Sequence, residues 1–180
     1  MKIEPEQLIK IEDVVSVADH QDLVQLSESS TQIIQESRQR LVSIQNRGEP
    51  VYGINTGYGI FANKSINQAD IQHLNRKLIL SHAVGIGDPL PDRVVMAAMF
   101  IRVNTLSKGY SGVRPELIQT IIDMLNNGVT PVIPSKGSLG SSGDLCQLSH
   151  MALVITRDEK DDDQESGFAR FENQMLSGKQ

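Results

Sequence analysis

Apolar residues recur at helical spacing over the first third of the chain. Apolar positions between Leu8 and Ala18 predict a first helix. A longer segment runs from the serines at 27–30, which suit a helix N-cap, to about Gln45, and Gly48 follows as a stop signal. The other face of this segment is polar, so the pattern predicts an amphipathic helix at the surface.

Two further helices are predicted in the middle of the chain. Asn67 can cap a helix whose apolar face includes Leu74 and Leu78, and His82 extends that face by one turn. Residues 91–106 are apolar on nearly every side, which is typical of a helix buried against several neighbours. We expect the helices that cover this segment to lie outside this chain, and the chain alone to self-associate through the exposed apolar surface.

Strand signals are sparse in this sequence. Another helix is expected to begin at Pro115, a favoured first helical residue, and a further helical pattern covers residues 145–155. Residues 51–54 are few and interrupted by glycine, which allows only a brief strand or an extended run into a loop. The sequence therefore predicts a mainly α fold, with short strands only near the loops.

Length, charge and cysteine content exclude several functional classes. The 180 residues allow one domain or one lobe of a larger chain, and the net charge of -5 with no basic block argues against a nucleic-acid partner. No apolar run approaches the roughly 18 residues of a membrane span. Cys146 is the single cysteine, and the N-terminus has no signal-peptide pattern, so we expect a cytoplasmic, reduced setting. His20 and His73 have no metal-ligand spacing, so no metal is expected.

The segment 134–144 is the part of the sequence that requires a chemical explanation. Glycines fall at 137, 140 and 143 with serines between them, directly before a helical pattern. One interpretation is a capped helix start on a flexible loop. A second is a phosphate loop at a helix N-terminus, but no Gly-Lys-Ser/Thr sequence ends the loop. A third interpretation is a chemical one, in which the tripeptide Ser141-Ser142-Gly143 forms a ring.

This tripeptide can cyclise if its backbone is bent tightly. The amide nitrogen of Gly143 would attack the carbonyl carbon of Ser141, and loss of two waters, one including the Ser142 hydroxyl, would leave a methylidene-imidazolone. Glycine has no Cβ to block the approach, and the first position contributes only its carbonyl and Cα. The product is an electrophile at the positive end of a helix dipole. Spacing alone leaves the three interpretations open.

Four segments of the chain resemble, in order, the aromatic amino acid ammonia-lyases that build this prosthetic group, known as MIO. The segments are residues 51–59, 75–83, 102–115 and 137–151, and within the family the chain is most similar to the histidine ammonia-lyases. The resemblance implies the helical ammonia-lyase/fumarase-like fold, with residues 1–180 as its N-terminal catalytic-loop region. It also implies a carbon–nitrogen lyase of histidine catabolism, which eliminates ammonia from an aromatic L-amino acid, with histidine to trans-urocanate favoured.

The resemblance assigns the cofactor to the Ser-Ser-Gly loop. Ser141, Ser142 and Gly143 correspond to the residues that form MIO autocatalytically, without a metal. The family usually has alanine at the position of Ser141 and proline at that of Gln147. Serine at 141, together with a leucine at 139, is more common in phenylalanine lyases and aminomutases, so the family assignment is firmer than the substrate.

The resemblance also assigns residues that act on the substrate. Tyr52 corresponds to the tyrosine that removes the β-proton, Gly59 belongs to the loop that closes near the substrate, and His82 corresponds to the histidine that contacts the substrate ring. The alternatives are a half-buried aromatic at a strand end for Tyr52 and a satisfied core histidine for His82. His150 is assigned to packing or capping.

The family implies a longer and oligomeric enzyme. Its members are more than twice as long as this chain, and each active site draws on several subunits of a homotetramer. We therefore expect residues 1–180 to be inactive alone. The alternatives are a phenylalanine or tyrosine ammonia-lyase or aminomutase, or a non-catalytic truncated fragment that packs with partner helices.

Overall fold

The computed structural model of the protein describes residues 1–20, 22–156 and 161–178. Within them the chain is mainly helical, as predicted, and its strands are two to four residues long. The helices are α1 (Ile11–His20), α2 (Glu28–Asn46), α3 (Gln68–His82), α4 (Asp92–Ser107), α5 (Pro115–Asn126) and α6 (Leu145–Ile155). The strands are β1 (Lys2–Ile3), β2 (Gln25–Leu26), β3 (Ile86–Pro89), β4 (Thr130–Pro131), β5 (Pro134–Lys136), β6 (Phe168–Phe171) and β7 (Gln174–Ser177).

The helix starts follow the capping signals of the sequence. Ser27 is the N-cap of α2, and its hydroxyl oxygen accepts a hydrogen bond from the Ser30 amide. Pro115 is the first residue of α5, where the missing amide hydrogen costs nothing. Asn67 is the N-cap residue of α3, as predicted. Local signals therefore place the starts of these three helices.

The core is built around α4. Met99, Phe100 and Val103 are fully buried on this helix, which packs against α1, α2 and α5. Only parts of α4 remain uncovered, such as Val94 and Ile101, which are 45% and 46% exposed. The expectation that the covering helices lie outside this chain is therefore wrong for most of α4, because the other helices of the chain bury it. The argument for self-association through this helix falls with that expectation.

Short strands tie distant segments together. β1 pairs in parallel with β2, and β4, β6 and β7 form an antiparallel sheet. β3 pairs antiparallel with β5, with Ile86 opposite Lys136. This last ribbon joins the segment after α3 to the segment that precedes the Ser-Ser-Gly loop. Among the described residues, no helix is both long and apolar enough to cross a membrane.

Candidate active site

The Ser-Ser-Gly loop connects β5 to α6 and is tightly turned. Residues Gly140–Ser142 form a single 3-10 turn, and Gly143 follows with φ 67° and ψ -154°. This backbone region is essentially restricted to glycine. A Cβ at Gly143 would have no atom within 4 Å, so backbone conformation rather than crowding requires glycine there. The side chain of Ser142 lies outside the described part of the structure.

The start of this loop is held against the first turn of α6 by two contacts. A Cβ at Gly137 would lie 2.3 Å from the Cys146 Sγ, which shows how closely the loop start approaches the helix. The Ser138 hydroxyl donates a 2.5 Å hydrogen bond to the Gln147 Oε1. Gln147, which departs from the usual proline of the family, therefore supplies an acceptor that proline lacks. Beyond Ser138 the loop faces solvent, and Leu139 is 90% exposed.

Tyr52 lies in a turn, where the sequence allowed a brief strand or an extended run. Its ring meets the ring of Tyr58 edge-on, with centroids 6.0 Å apart and planes at 77°. The Tyr52 side chain is 63% exposed, so the alternative of a half-buried aromatic at a strand end is wrong. The Tyr58 hydroxyl in turn donates to the Asn75 Oδ1 on α3 at 3.1 Å. The turn is thus connected to α3 through an aromatic pair.

Asn55 holds the turn that carries Tyr52, a role that sequence reasoning did not assign. Its Oδ1 accepts from the Val51 amide at 2.7 Å, and its Nδ2 donates to the Glu49 carbonyl at 2.8 Å. Asn55 is buried, so these bonds satisfy a desolvated amide. In the sequence, only the glycines two residues before and two residues after Asn55 point to a turn there, and its burial is seen only in the fold. Gly59, further along the loop, begins a 3-10 turn with φ 58°.

His82 is the last residue of α3 and is half-buried. Its Nδ1 lies 2.8 Å from the Leu78 carbonyl oxygen, so Nδ1 carries the proton and donates. The Ser81 hydroxyl lies 3.1 Å from the same nitrogen. This arrangement fixes the tautomer and leaves Nε2 as the nitrogen that can accept a hydrogen bond from a ligand. The Nδ1 of His82 is hydrogen-bonded to the backbone, as in a core histidine, and its Nε2 can contact a ligand.

Three residues beyond His82, the chain turns back toward α6. The Gly85 amide donates a 3.0 Å hydrogen bond to the His150 Nε2. Burial lowers the pKa of His150, which favours the neutral ring that this bond requires. The structure therefore links the segment after His82 to the helix that follows Ser141 and Gly143.

The predicted site residues do not line the cleft that the described residues form beside α3. A cleft of about 550 Å³ lies between α2, α3 and the start of α5, and its lining includes Arg38, Arg76 and Arg114 but not Tyr52 or His82. Among the described residues, no group of three His, Cys, Asp or Glu side chains is placed to hold a metal ion.

The chain matches a known family model and curated relatives over most of its length. The model of the family "Aromatic amino acid lyase" matches residues 9–175. The histidine ammonia-lyase of Caldanaerobacter subterraneus subsp. tengcongensis is 49% identical over 82% of this chain and 29% of its own length. That of Treponema denticola is 42% identical over 99% of this chain and 34% of its own length.

Solved structures of the same type superpose on nearly the whole chain. Ergothionase from Treponema denticola, solved with desmethyl-ergothioneine sulfonic acid, has a TM-score of 0.89 at 30% identity, over 99% of this chain and 34% of that one. Histidine ammonia-lyase from Trypanosoma cruzi has a TM-score of 0.81 at 28% identity, over 99% and 32%. The chain spans about a third of the length of the relatives it matches. Its sequence and its mainly helical structure place it in the aromatic amino acid lyase family.

Proposed function

We propose that residues 1–180 form the N-terminal, catalytic-loop region of a histidine ammonia-lyase-like enzyme. The reaction is elimination of ammonia from an aromatic L-amino acid, with histidine to trans-urocanate favoured. One observation carries the proposal: the Ser141-Ser142-Gly143 turn stands directly before α6, with Gly143 in a backbone conformation reserved for glycine. Identities of 42–49% to histidine ammonia-lyases support the choice of substrate class.

The residues of the loop fit the formation of MIO. Gly143 presents its backbone without a Cβ, and Ser141 contributes only its carbonyl and Cα. Ring closure joins the Gly143 nitrogen to the Ser141 carbonyl carbon, and two waters leave, the second with the Ser142 hydroxyl. Once formed, the group supplies an electrophile for the substrate. The anchored loop start at Gly137 and Ser138 limits the backbone entropy that ring closure must overcome.

Two side chains act on the substrate in this proposal. Tyr52 accepts the β-proton as the general base. Its exposed turn lets it reach a substrate that is held by groups outside these residues. His82 contacts the substrate ring through Nε2, because its Nδ1 is engaged with the Leu78 carbonyl. Gly59 belongs to the loop that closes near the substrate, where its positive φ favours glycine.

The complete enzyme is proposed to be a cytoplasmic homotetramer without a metal. Because this chain spans about a third of its relatives, the groups that bind the substrate carboxylate are expected outside it, and the chain alone should release no ammonia. A phenylalanine or tyrosine lyase or aminomutase is the second candidate. Ser141 and Leu139 favour it, and the phenylalanine aminomutase of Pantoea agglomerans also superposes with a TM-score of 0.87.

Intact-mass spectrometry of the 180-residue chain tests the proposal. The wild-type chain should be lighter than its encoded mass by two waters. Ser142→Ala should lose at most the one water of ring closure, because no other side chain supplies the hydroxyl that leaves as the second water and the methylidene carbon. The matched control Ser141→Ala should still lose two waters. An unmodified wild-type chain would favour the non-catalytic fragment, and loss of two waters from Ser142→Ala would show that the ring is assigned to the wrong residues.

The substrate class is tested by ammonia release in the full-length enzyme, with histidine, phenylalanine and tyrosine compared at equal concentration. Preference for histidine supports the lyase proposed here, and formation of a β-amino acid from phenylalanine or tyrosine supports the aminomutase. The 180-residue chain serves as the control. Ammonia release by that chain would show that the first 180 residues hold a complete site.

A further inference from the structure

His150 accepts a hydrogen bond from the backbone amide of Gly85. The Gly85 amide lies between the end of α3 and the start of β3, and the His150 Nε2 is 3.0 Å away. For Nε2 to accept, the ring must be neutral with its proton on Nδ1. Burial of His150 lowers its pKa and so favours this form. The bond is specific in direction: a side chain without an acceptor at this point leaves the Gly85 amide unsatisfied.

The bond sits in a crowded junction, here named the clasp and defined by Gly85, Gly137, Cys146 and His150. A Cβ at Gly85 would lie 3.0 Å from the His150 Nε2 and 3.2 Å from the Cys146 Sγ. A Cβ at Gly137 would lie 2.9 Å from the Cys146 Cβ and 3.3 Å from the Gly85 Cα. Neither glycine has a positive φ, so close approach of the chains, rather than backbone conformation, requires them.

The clasp joins the two parts of the candidate site. Cys146 and His150 are four residues apart on α6 and therefore share one face of the helix. That face meets Gly85, three residues after His82, and Gly137, four residues before Ser141. The β3–β5 ribbon, with Ile86 opposite Lys136, continues the same junction. The start of α6 is thereby fixed relative to the end of α3.

We propose that His150 is a positioning residue, which sets the Ser-Ser-Gly loop in register with His82 by accepting the Gly85 amide. Its contribution to catalysis rests on the proposed function, whereas its effect on the loop does not. A residue that only fills volume would be replaced equally well by leucine and by glutamine. A residue that acts as an acceptor is replaced by glutamine, whose Oε1 reaches the region of Nε2, and not by leucine.

Amide hydrogen exchange on the 180-residue chain tests the proposal at single residues. In His150→Leu, the Gly85 amide and the Leu148 amide, which donates to the Asp144 carbonyl at the end of the loop, should exchange about ten-fold faster or more, because the loop opens without global unfolding. In His150→Gln both amides should exchange at close to the wild-type rate. His73→Leu, at an exposed histidine of α3, is the matched control and should change neither amide. Intact mass of each variant measures the fraction that has lost two waters.

The expected result is faster loop exchange and a smaller cyclised fraction in His150→Leu, with both restored in His150→Gln. Equal effects of leucine and glutamine would overturn the proposal, as would a change confined to the Gly85 amide. If wild-type chain does not cyclise, the proposed function fails, and loop exchange alone decides the role of His150. If His150→Leu does not fold, the role of His150 is decided by comparing loop exchange in Gly85→Ala with that in His150→Gln. Gly85→Ala crowds the same bond from the other side, and unchanged loop exchange there would also overturn the proposal.

Discussion

Replacing Gly137 by alanine tests how tightly the start of the Ser-Ser-Gly loop packs on α6. The added Cβ would lie 2.3 Å from the Cys146 Sγ and 2.9 Å from its Cβ. Ordinary van der Waals contacts between such atoms begin at 3.4 Å, so both contacts are too short. Because Cys146 is buried, its thiol can leave the first contact only at a cost to its packing against other neighbours. The second joins atoms that are fixed to the backbone, so a segment of main chain must move.

The size of the effect follows from two opposing contributions. Overpacking of a well-packed site costs about 1–3 kcal/mol. Alanine also lowers the entropy of the unfolded chain relative to glycine, which returns about 0.4–1 kcal/mol at a position without positive φ. We therefore expect Gly137→Ala to lower the free energy of unfolding by about 1–2 kcal/mol.

Urea unfolding of a double-mutant cycle with Cys146→Ala measures the contact itself. Removing the thiol deletes the shorter of the two contacts, so Gly137→Ala should be less destabilising in the Cys146→Ala background, with a coupling energy of about 0.5–1 kcal/mol. Additive effects of the two substitutions would refute the packing described here. Gly140→Ala is the control for the loop, since its Cβ would meet no atom within 4 Å and only its φ of 62° is strained.

Three further predictions concern stability. Arg76→Met breaks the ion pair with Asp161, in which the two side chains are only 14% and 7% exposed, and should cost about 3 kcal/mol in urea unfolding. Arg93→Met, at the more exposed pair with Asp19, should cost clearly less by the same measurement. Phe100→Ala, at a fully buried side chain, should cost about 3–5 kcal/mol by the same measurement. Burial lowers the folded-state pKa of His150, so below its reference pKa of about 6.5 the unfolded chain binds more protons at this residue than the folded chain does. The contribution of His150 to the free energy of unfolding should therefore be complete above that pH and fall as the pH drops below it, and His150→Gln should remove this part of the pH dependence. The carboxyls with lowered pKa, Glu4 and Asp19, affect stability only at more acidic pH.

The sequence was most informative where local physical chemistry decides the structure. The serine cap predicted the start of α2, Pro115 predicted the start of α5, and the all-round apolar pattern predicted the burial of α4. These signals act within one or two helical turns, so they do not depend on tertiary contacts. The turn at residues 51–55 was not predicted, because the bonds of Asn55 to Val51 and Glu49 that close it need a buried side chain.

The expectation that helices outside the chain cover α4 was wrong because local patterns do not encode tertiary contacts. Its apolar pattern predicts burial but does not say which helices provide it, and α1, α2 and α5 of this chain do so. Partner identity depends on how the chain folds back on itself, which helical periodicity does not encode. For the same reason His150 was assigned to packing or capping, whereas its Nε2 meets an amide 65 residues away in the sequence.

The glycines around the candidate site show why the sequence predicts the reactive loop but not the long-range contacts that position it. Gly140 and Gly143 have positive φ and open space where a Cβ would be, so each serves the turn in which it lies. Gly85 and Gly137 have ordinary φ values; a Cβ at Gly137 would collide with Cys146, and one at Gly85 would come into tight contact with His150 and Cys146. A local turn can be inferred from the residues beside it, but a close approach between segments exists only once the chain has folded. The Ser-Ser-Gly motif therefore identifies the reactive loop, and the contacts of α6 with Gly85 and Gly137 determine where that loop stands.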